Sequence, residues 1–241
     1  MEAFKGARII GLTLFLEKEK VLVLGDVHVG YEEALNKQGV LIPRFQMKEI
    51  FSHLKKVFLE VKPRKIILLG DLKHEFGTIS RQEWKDTLML LDFLLKESEV
   101  ILIRGNHDKI LGPIAGKRGV EVKDSYSLGK YFFCHGDQLF SKDEDYKKAK
   151  IVIIGHEHPA ISIRDGARVE RYKCFLSGRY GLKKLVVLPS MNLVTEGTDV
   201  LAEKTLSPFI KDVDAFNVIA ILDKAYDFGK IRSLKKLMRG H

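Results

Sequence analysis

The chain has 241 residues, of which 45 % are hydrophobic and 30 % charged. Such a composition excludes a disordered chain, and the length fits one large domain or two small ones. The formal net charge of +9 either favours an anionic partner through long-range attraction or marks a well-solvated lysine surface.

The first apolar run, over 9–16, is short, contains Gly11 and Thr13, and runs into Glu17-Lys18-Glu19-Lys20. It does not read as a secretory leader, and no stretch approaches the length of a membrane span. The expectation is a soluble cytoplasmic protein with no membrane partner. Strands are predicted over 7–16, 21–24, 65–69, 100–103, 130–134 and 151–154, then near 172–176, 185–188 and 218–222. VLVL, KIILL, VILI and IVII are almost continuously apolar, as suits strands buried on both faces. Cys134 and Cys174 sit in such runs and read as buried thiols.

Between the strands lie helical patterns. Residues 46–61 place Ile50, Leu54, Val57, Phe58 and Val61 at helical spacing, and Pro63 ends the run. Residues 81–96 do the same with Trp84, Leu88, Leu91 and Leu95. There Ser80 is the expected N-cap, with Glu83 completing a capping box. Strand and helix at this rhythm predict an α/β fold. After about residue 160 the pattern turns to strands, which predicts a second sheet packed on the first. The expected architecture is a two-sheet β-sandwich flanked by helices, in one domain over 1–241.

The polar residues at the ends of the buried strands carry the chemistry. The strand ends read Gly25-Asp26-Val27-His28, Gly70-Asp71, Gly105-Asn106-His107-Asp108, His135-Gly136-Asp137 and Gly155-His156-Glu157-His158. Ligands of open α/β sheets bind beyond the carboxyl ends of strands, and Gly lets the chain turn sharply there. Asp, Asn and His supply oxygen and imidazole nitrogen, a donor set suited to Mn²⁺, Fe or Zn²⁺. One Gly-Asp is usually a turn, but five unrelated turns would not collect only metal-type side chains. Seven candidate ligands are too many for one ion, and a bridging carboxylate would divide them between two.

These five motifs, spanning 26–158, resemble those of the calcineurin-like metallophosphoesterases in type and order. GDLKHEFG, GYEEALNKQGVLIPRFQ and LPSMNLVTEGTDV resemble the subgroup described in bacteria as DNA-ligase-associated phosphoesterases. The resemblance implies the four-layer αββα architecture and two divalent ions. It implies Asp26, His28 and His158 on the first ion and Asn106, His135 and His156 on the second, with Asp71 bridging. Mn²⁺ is the expected ion, with Fe, Zn²⁺, Ni²⁺ or Mg²⁺ as alternatives. A hydroxide shared by both ions would attack phosphorus. His107 is implied to be catalytic, giving a proton or hydrogen bond to the leaving group.

One position departs from the family pattern. An Asp commonly stands three residues after the bridging Asp and orients the catalytic histidine, whereas this chain has His74 followed by Glu75. Either Glu75 or another carboxylate takes over, or His107 is oriented differently; His74 would then contact substrate or extend the metal shell. Asp108 and Asp137 read equally well as orienters of ligand imidazoles and as turn residues.

The expected function is phosphomonoester or phosphodiester hydrolysis, on nucleic-acid ends or on nucleotides. The alternative is a non-catalytic metal-binding scaffold or nucleic-acid-binding module that keeps the fold, which the complete ligand set disfavours. The extension over 199–241 is too short for a separate DNA-capping domain and is expected to belong to the catalytic domain. Its stretch Lys230-Ile231-Arg232-Ser233-Leu234-Lys235-Lys236-Leu237-Met238-Arg239 is expected to form a helix. Ile231, Leu234, Leu237 and Met238 would pack inward, and the cations would meet either solvent or, weakly, nucleic acid.

Overall fold

A computed structural model describes residues 1–75, 79–166 and 168–239, without the side chains of Asp165 and Arg239. Phe76 and Gly77 of the GDLKHEFG stretch, and the Arg239 cation, thus lie outside the described residues.

The first sheet holds seven strands in chain order. They are β1 (Glu2–Phe4), β2 (Ala7–Ile10), β3 (Thr13–Leu16), β4 (Val21–Leu24), β5 (Lys65–Leu68), β6 (Glu99–Ile103) and β7 (Val122–Lys123). β1 to β4 alternate in direction, whereas β4 to β7 are parallel. Their connections carry α1 (Tyr31–Lys37), α2 (Gln46–Glu60), α3 (Arg81–Leu95) and α4 (Gly112–Gly116).

The second sheet begins with β8 (Ser125–Leu128), β9 (Tyr131–Cys134), β10 (Ile151–Ile154) and β11 (Pro159–Asp165). It continues through β12 (Arg168–Tyr180), β13 (Lys183–Val187), β14 (Thr198–Asp199), β15 (Asn217–Ile221) and β16 (Ala225–Lys230). β9, β10 and β13 are parallel, and β15 joins the sheet by pairing with β12. A short α5 (Glu144–Lys148) precedes β10, and α6 (Ile231–Arg239) follows β16.

Three apolar layers explain the continuous runs. On β4, Leu22 and Leu24 face the core under α2 and α3, while Val21 and Val23 face the second sheet. On β10, Ile151 and Ile153 meet the first sheet, and Val152 and Ile154 pack outward with Tyr146, Phe209 and Phe216. Each such side chain contributes about 1.5–3 kcal/mol by leaving water. Because both faces are apolar, a one-residue slip would not expose a polar face as it does in a half-buried strand. The polar Gly-Asp and Gly-His ends mark where each strand must stop. Cys134 and Cys174 are buried thiols, as expected, and burial pushes the pKa of each upward.

Four expectations change. The run over 7–16 is a hairpin of two strands, because Gly11 takes a left-handed φ of 53° and reverses the chain. A side chain on Gly11 would lie 2.3 Å from the His53 ring, which accepts a hydrogen bond from Leu12 N. The second sheet starts at Ser125 rather than after residue 160, so β9 and β10 belong to it. The capping box is half formed: Ser80 Oγ accepts from Glu83 N at 3.0 Å, but the Glu83 carboxylate turns to the loop after Asp71. Finally, α6 forms, but only its start packs. Ile231 is buried and Leu234 half-buried, while Leu237 and Met238 are exposed, and the helix lies near the short 3-10 turn Val213–Ala215. Lys235 is held there by Asp214 at 2.7 Å. Among the described residues no helix is long and apolar enough to cross a membrane.

Candidate metal centre

The parallel strands of both sheets end on the same side of the molecule. Asp26 follows β4, Asp71 follows β5, Asn106 and His107 follow β6, His135 follows β9, and His156 and His158 follow β10. Backbone hydrogen bonds tie these ends together. Val27 N and His28 N donate to Asp71 O at 3.1 and 2.9 Å, and Gly155 N donates to His135 O at 2.9 Å. Glycine is required where ends touch. A side chain on Gly105 would stand 2.1 Å from Asp71 Oδ1, and one on Gly155 would stand 2.4 Å from Asp26 Oδ2.

All seven residues predicted as ligands converge. His28 Nε2 lies 3.3 Å from His158 Nε2, which is 3.4 Å from Asp26 Oδ1. His135 Nε2 lies 3.0 Å from Asn106 Oδ1 and 3.1 Å from His156 Nδ1. Between the two groups stands Asp71 Oδ2, 3.8 Å from His28 Nε2 and 3.4 Å from His135 Nε2. Adjacent donors around an ion with bonds of about 2.1 Å stand roughly 3.0–3.4 Å apart. Apart from the 3.8 Å between Asp71 Oδ2 and His28 Nε2, the spacings fall in that range, so the residues fit divalent ions. Two triads have mutually close donor atoms: Asp26, His28, His158 and Asp71, His135, His156. A third such group joins His28 to His74 and His107.

Backbone strain concentrates here. Among the described residues, five other than glycine have positive φ: Lys20, His28 (50°), Asp71 (44°), His156 (63°) and His158 (47°). Four of the five belong to the convergent set, and such conformations cost about 1–3 kcal/mol each unless the surroundings hold them.

The electrostatics suit a cation. Burial alone would raise Asp26, but the neighbouring His158, His135 and His28 hold its carboxyl well below the usual range. Burial and the nearby His158 push His28 down to about 3, so its ring is neutral near pH 7 and keeps a lone pair for a metal. Burial also opposes charge on His135, yet Asp71 and Asp26 push it up to about 10. Two buried carboxylates thus call for positive charge at this spot. His135 Nδ1 pairs with Leu69 O at 2.8 Å, which in the neutral ring leaves the Nε2 lone pair facing the centre.

His107 stands beside this set. Its backbone N donates to Asp71 Oδ1 at 2.9 Å, and its Nε2 lies 3.8 Å from Asp71 Oδ2. Its Nδ1 pairs with the carbonyl oxygen of His74 at 2.5 Å. A backbone carbonyl is thus one group that orients the ring, while the Glu75 carboxylate pairs with Lys37 at 3.6 Å. The His74 ring lies with its Nδ1 3.5 Å from His28 Nδ1, and Tyr31 packs on it edge-on at 4.5 Å.

Asp108 staples the two central loops. Its oxygens accept from Leu72 N, Lys73 N and Gly105 N at 3.2, 3.3 and 3.1 Å. It is thus a turn residue of both loops, and burial together with the Asp71 charge pushes it up to about 6. Asp137 is half-buried, and its charge acts on His156. Three supporting residues were not singled out from the sequence. Gln46 Nε2 donates to the Val27 and His28 carbonyls at 3.1 and 3.0 Å and to Asn192 Oδ1 at 3.2 Å. Ser190 Oγ donates to Asp26 O at 3.0 Å. Gln46 and the Ser190–Asn192 segment lie inside the two longer stretches that carry the subgroup resemblance, which was their one signal.

A donor set of this kind, sunk at the strand ends of a two-sheet fold, defines a metal-dependent hydrolase. The chain belongs to the calcineurin-like phosphoesterase family, whose model matches residues 19–197, and so acts on phosphoester bonds. A search of curated proteins finds no match. Among solved structures the chain is similar to Pseudomonas putida nuclease MPE. Identity is 19 %, coverage 90 % of this chain and 91 % of that one, and the TM-score 0.64. Vacuolar protein sorting 29 from Cryptosporidium parvum shares 14 % identity, covers 87 % of this chain and 97 % of its own, and has a TM-score of 0.40. A predicted phosphoesterase from Streptococcus pneumoniae TIGR4 has 13 % identity, the same coverages and a TM-score of 0.32.

Proposed function

We propose that the chain is a two-metal phosphodiesterase, with Mn²⁺ as its ion, acting on nucleic-acid phosphodiesters without sequence preference. The observation that carries the reading is the position of Asp71. Its Oδ1 is taken by His107 N, and its Oδ2 alone faces both imidazole groups, as a bridging ligand must. Asp26, His28 and His158 would hold one ion, and Asn106, His135 and His156 the other. When bound, such a pair neutralises phosphoryl oxygens and lowers the pKa of the attacking water. The protein's own proton donor is His107. As the oxygen of the water, its proton already lost to solvent, bonds to phosphorus, the bond to the leaving oxygen breaks. His107, with both ring nitrogens protonated, gives that leaving oxygen its Nε2 proton and keeps the Nδ1 proton on the His74 carbonyl.

Two features support nucleic acid as the substrate class: the net charge of +9, and a fold shared along most of its length with a nuclease. The reading takes 1–241 as one catalytic domain, which the pairing of β15 with β12 supports. The test is turnover of a chromogenic phosphodiester and a labelled single-stranded oligonucleotide. Chelation should abolish both activities and Mn²⁺ should restore them. Oligonucleotide affinity should fall steeply with salt, as phosphate contacts require. Cleavage that survives exhaustive chelation would contradict the reading, and absence of turnover on any phosphoester would favour a binding scaffold.

A further inference from the structure

His107 is oriented by the His74 carbonyl, so whatever holds that peptide in place holds the proton donor. Hydrogen bonds with Val29, Glu83 and Lys73 hold the loop after Asp71 around His74. His74 N donates to Val29 O at 3.0 Å and to Glu83 Oε1 at 2.9 Å, and Glu75 N donates to the same Oε1 at 3.1 Å. Lys73, fully buried, bonds Glu75 O. Glu83 reaches the loop from the first turn of α3, where its own N is capped by Ser80.

The placement is costly, which indicates that it serves a purpose. Glu83 is 1 % exposed, and its second oxygen, Oε2, has no hydrogen-bond partner among the described residues. Leaving a buried oxygen unpaired is destabilising. A residue three positions after an N-cap would ordinarily bond back to the cap, an arrangement open to Glu83 and not used. Room for the side chain comes from Gly30, where a Cβ would stand 3.0–3.2 Å from Glu83 carbons. Gly30 directly follows the His28-Val29 segment, so Glu83 touches both sides of the His74 anchor.

We infer that Glu83 is a positioning residue for the reaction, holding the His74 peptide so that its carbonyl aims the His107 ring at the leaving group. The inference rests on the proton-donor role of His107 proposed above. Glu83 Oε1 holds the loop at His74 N and Glu75 N, and its effect is assigned to that path.

The experiment compares Glu83→Ala, His107→Ala and the double variant, as Mn²⁺-loaded full-length enzymes. Each is assayed on a nitrophenyl phosphodiester and on a dinucleotide. The nitrophenolate departs without a proton, whereas the nucleoside alkoxide needs one. Glu83→Ala should lower kcat on the dinucleotide by about 10- to 100-fold, cost several-fold less on the nitrophenyl ester, and leave metal content unchanged. Added to His107→Ala it should cost nothing further, since both changes remove one function. Glu83→Gln, whose amide oxygen still accepts both N–H groups, should recover most of the loss. If Glu83→Ala does not fold, Glu83→Asp, with its acceptor drawn back by one methylene, undergoes the same tests. Equal losses on the two substrates, or additive losses in the double variant, would overturn the inference while leaving the role of His107 intact. Full activity in His107→Ala would remove the proposed proton donor and this inference with it.

Discussion

His107→Ala is expected to lower turnover of a nucleotide diester by about 10²- to 10⁴-fold while metal content stays at the wild-type level. The two readouts separate because of where the residue sits. Its backbone N–H holds Asp71 Oδ1 and survives the substitution, so the carboxylate keeps its place. Only the ring is lost, and with it the Nε2 that lies 3.8 Å from Asp71 Oδ2. The expected loss corresponds to about 3–5 kcal/mol of barrier, the usual worth of one positioned general acid. It should appear in kcat more than in KM, and a good leaving group should soften it. Loss of metal from this variant would make His107 a ligand, and near wild-type activity would leave it with no part in the chemistry.

Asp71→Ala should remove both metal and activity, with rates down by at least about 10⁴-fold. One oxygen of this side chain faces both imidazole groups, so its loss takes a donor from each at once. Stabilisation of phosphoryl charge worth several kcal/mol goes with it, at about 1.4 kcal/mol per tenfold in rate. A second consequence falls on His107, whose backbone N–H loses its acceptor. The check is metal analysis of the purified variant beside single-turnover rates. Asp71→Ala that retains its full metal complement would contradict the assignment of the shared ligand.

Much of the site was legible because its residues stand at the ends of strands with two buried faces. Leu22 and Val23 both had to be apolar, so the change to Gly25-Asp26 was sharp, and likewise at Gly70-Asp71 and Gly155-His156. The same continuity hid the division between sheets. Phe132 and Ile153 look like any buried parallel strand, and nothing in such a run says which sheet it joins. The hairpin at Gly11 was missed because Gly11 and Thr13 interrupt an apolar run without breaking its alternation. The orienter of His107 was illegible for a different reason. It is a backbone oxygen, which every residue has, so the search for a carboxylate near His74 had no side chain to find. Glu83 fitted a capping box so well by spacing that its turn toward the loop had no trace in the sequence. Gln46 looked like the first residue of a helix, and only the fold brings its amide to the carbonyl of His28.

The central claim is a pair of ions sharing one carboxylate. Crystals soaked in Mn²⁺ and measured at the manganese absorption edge count the ions directly. Two anomalous peaks per chain are expected, one among Asp26, His28 and His158 and one among Asn106, His135 and His156, with Asp71 Oδ2 between them. A single peak at full metal loading, with His135 and His156 both unligated, would contradict it.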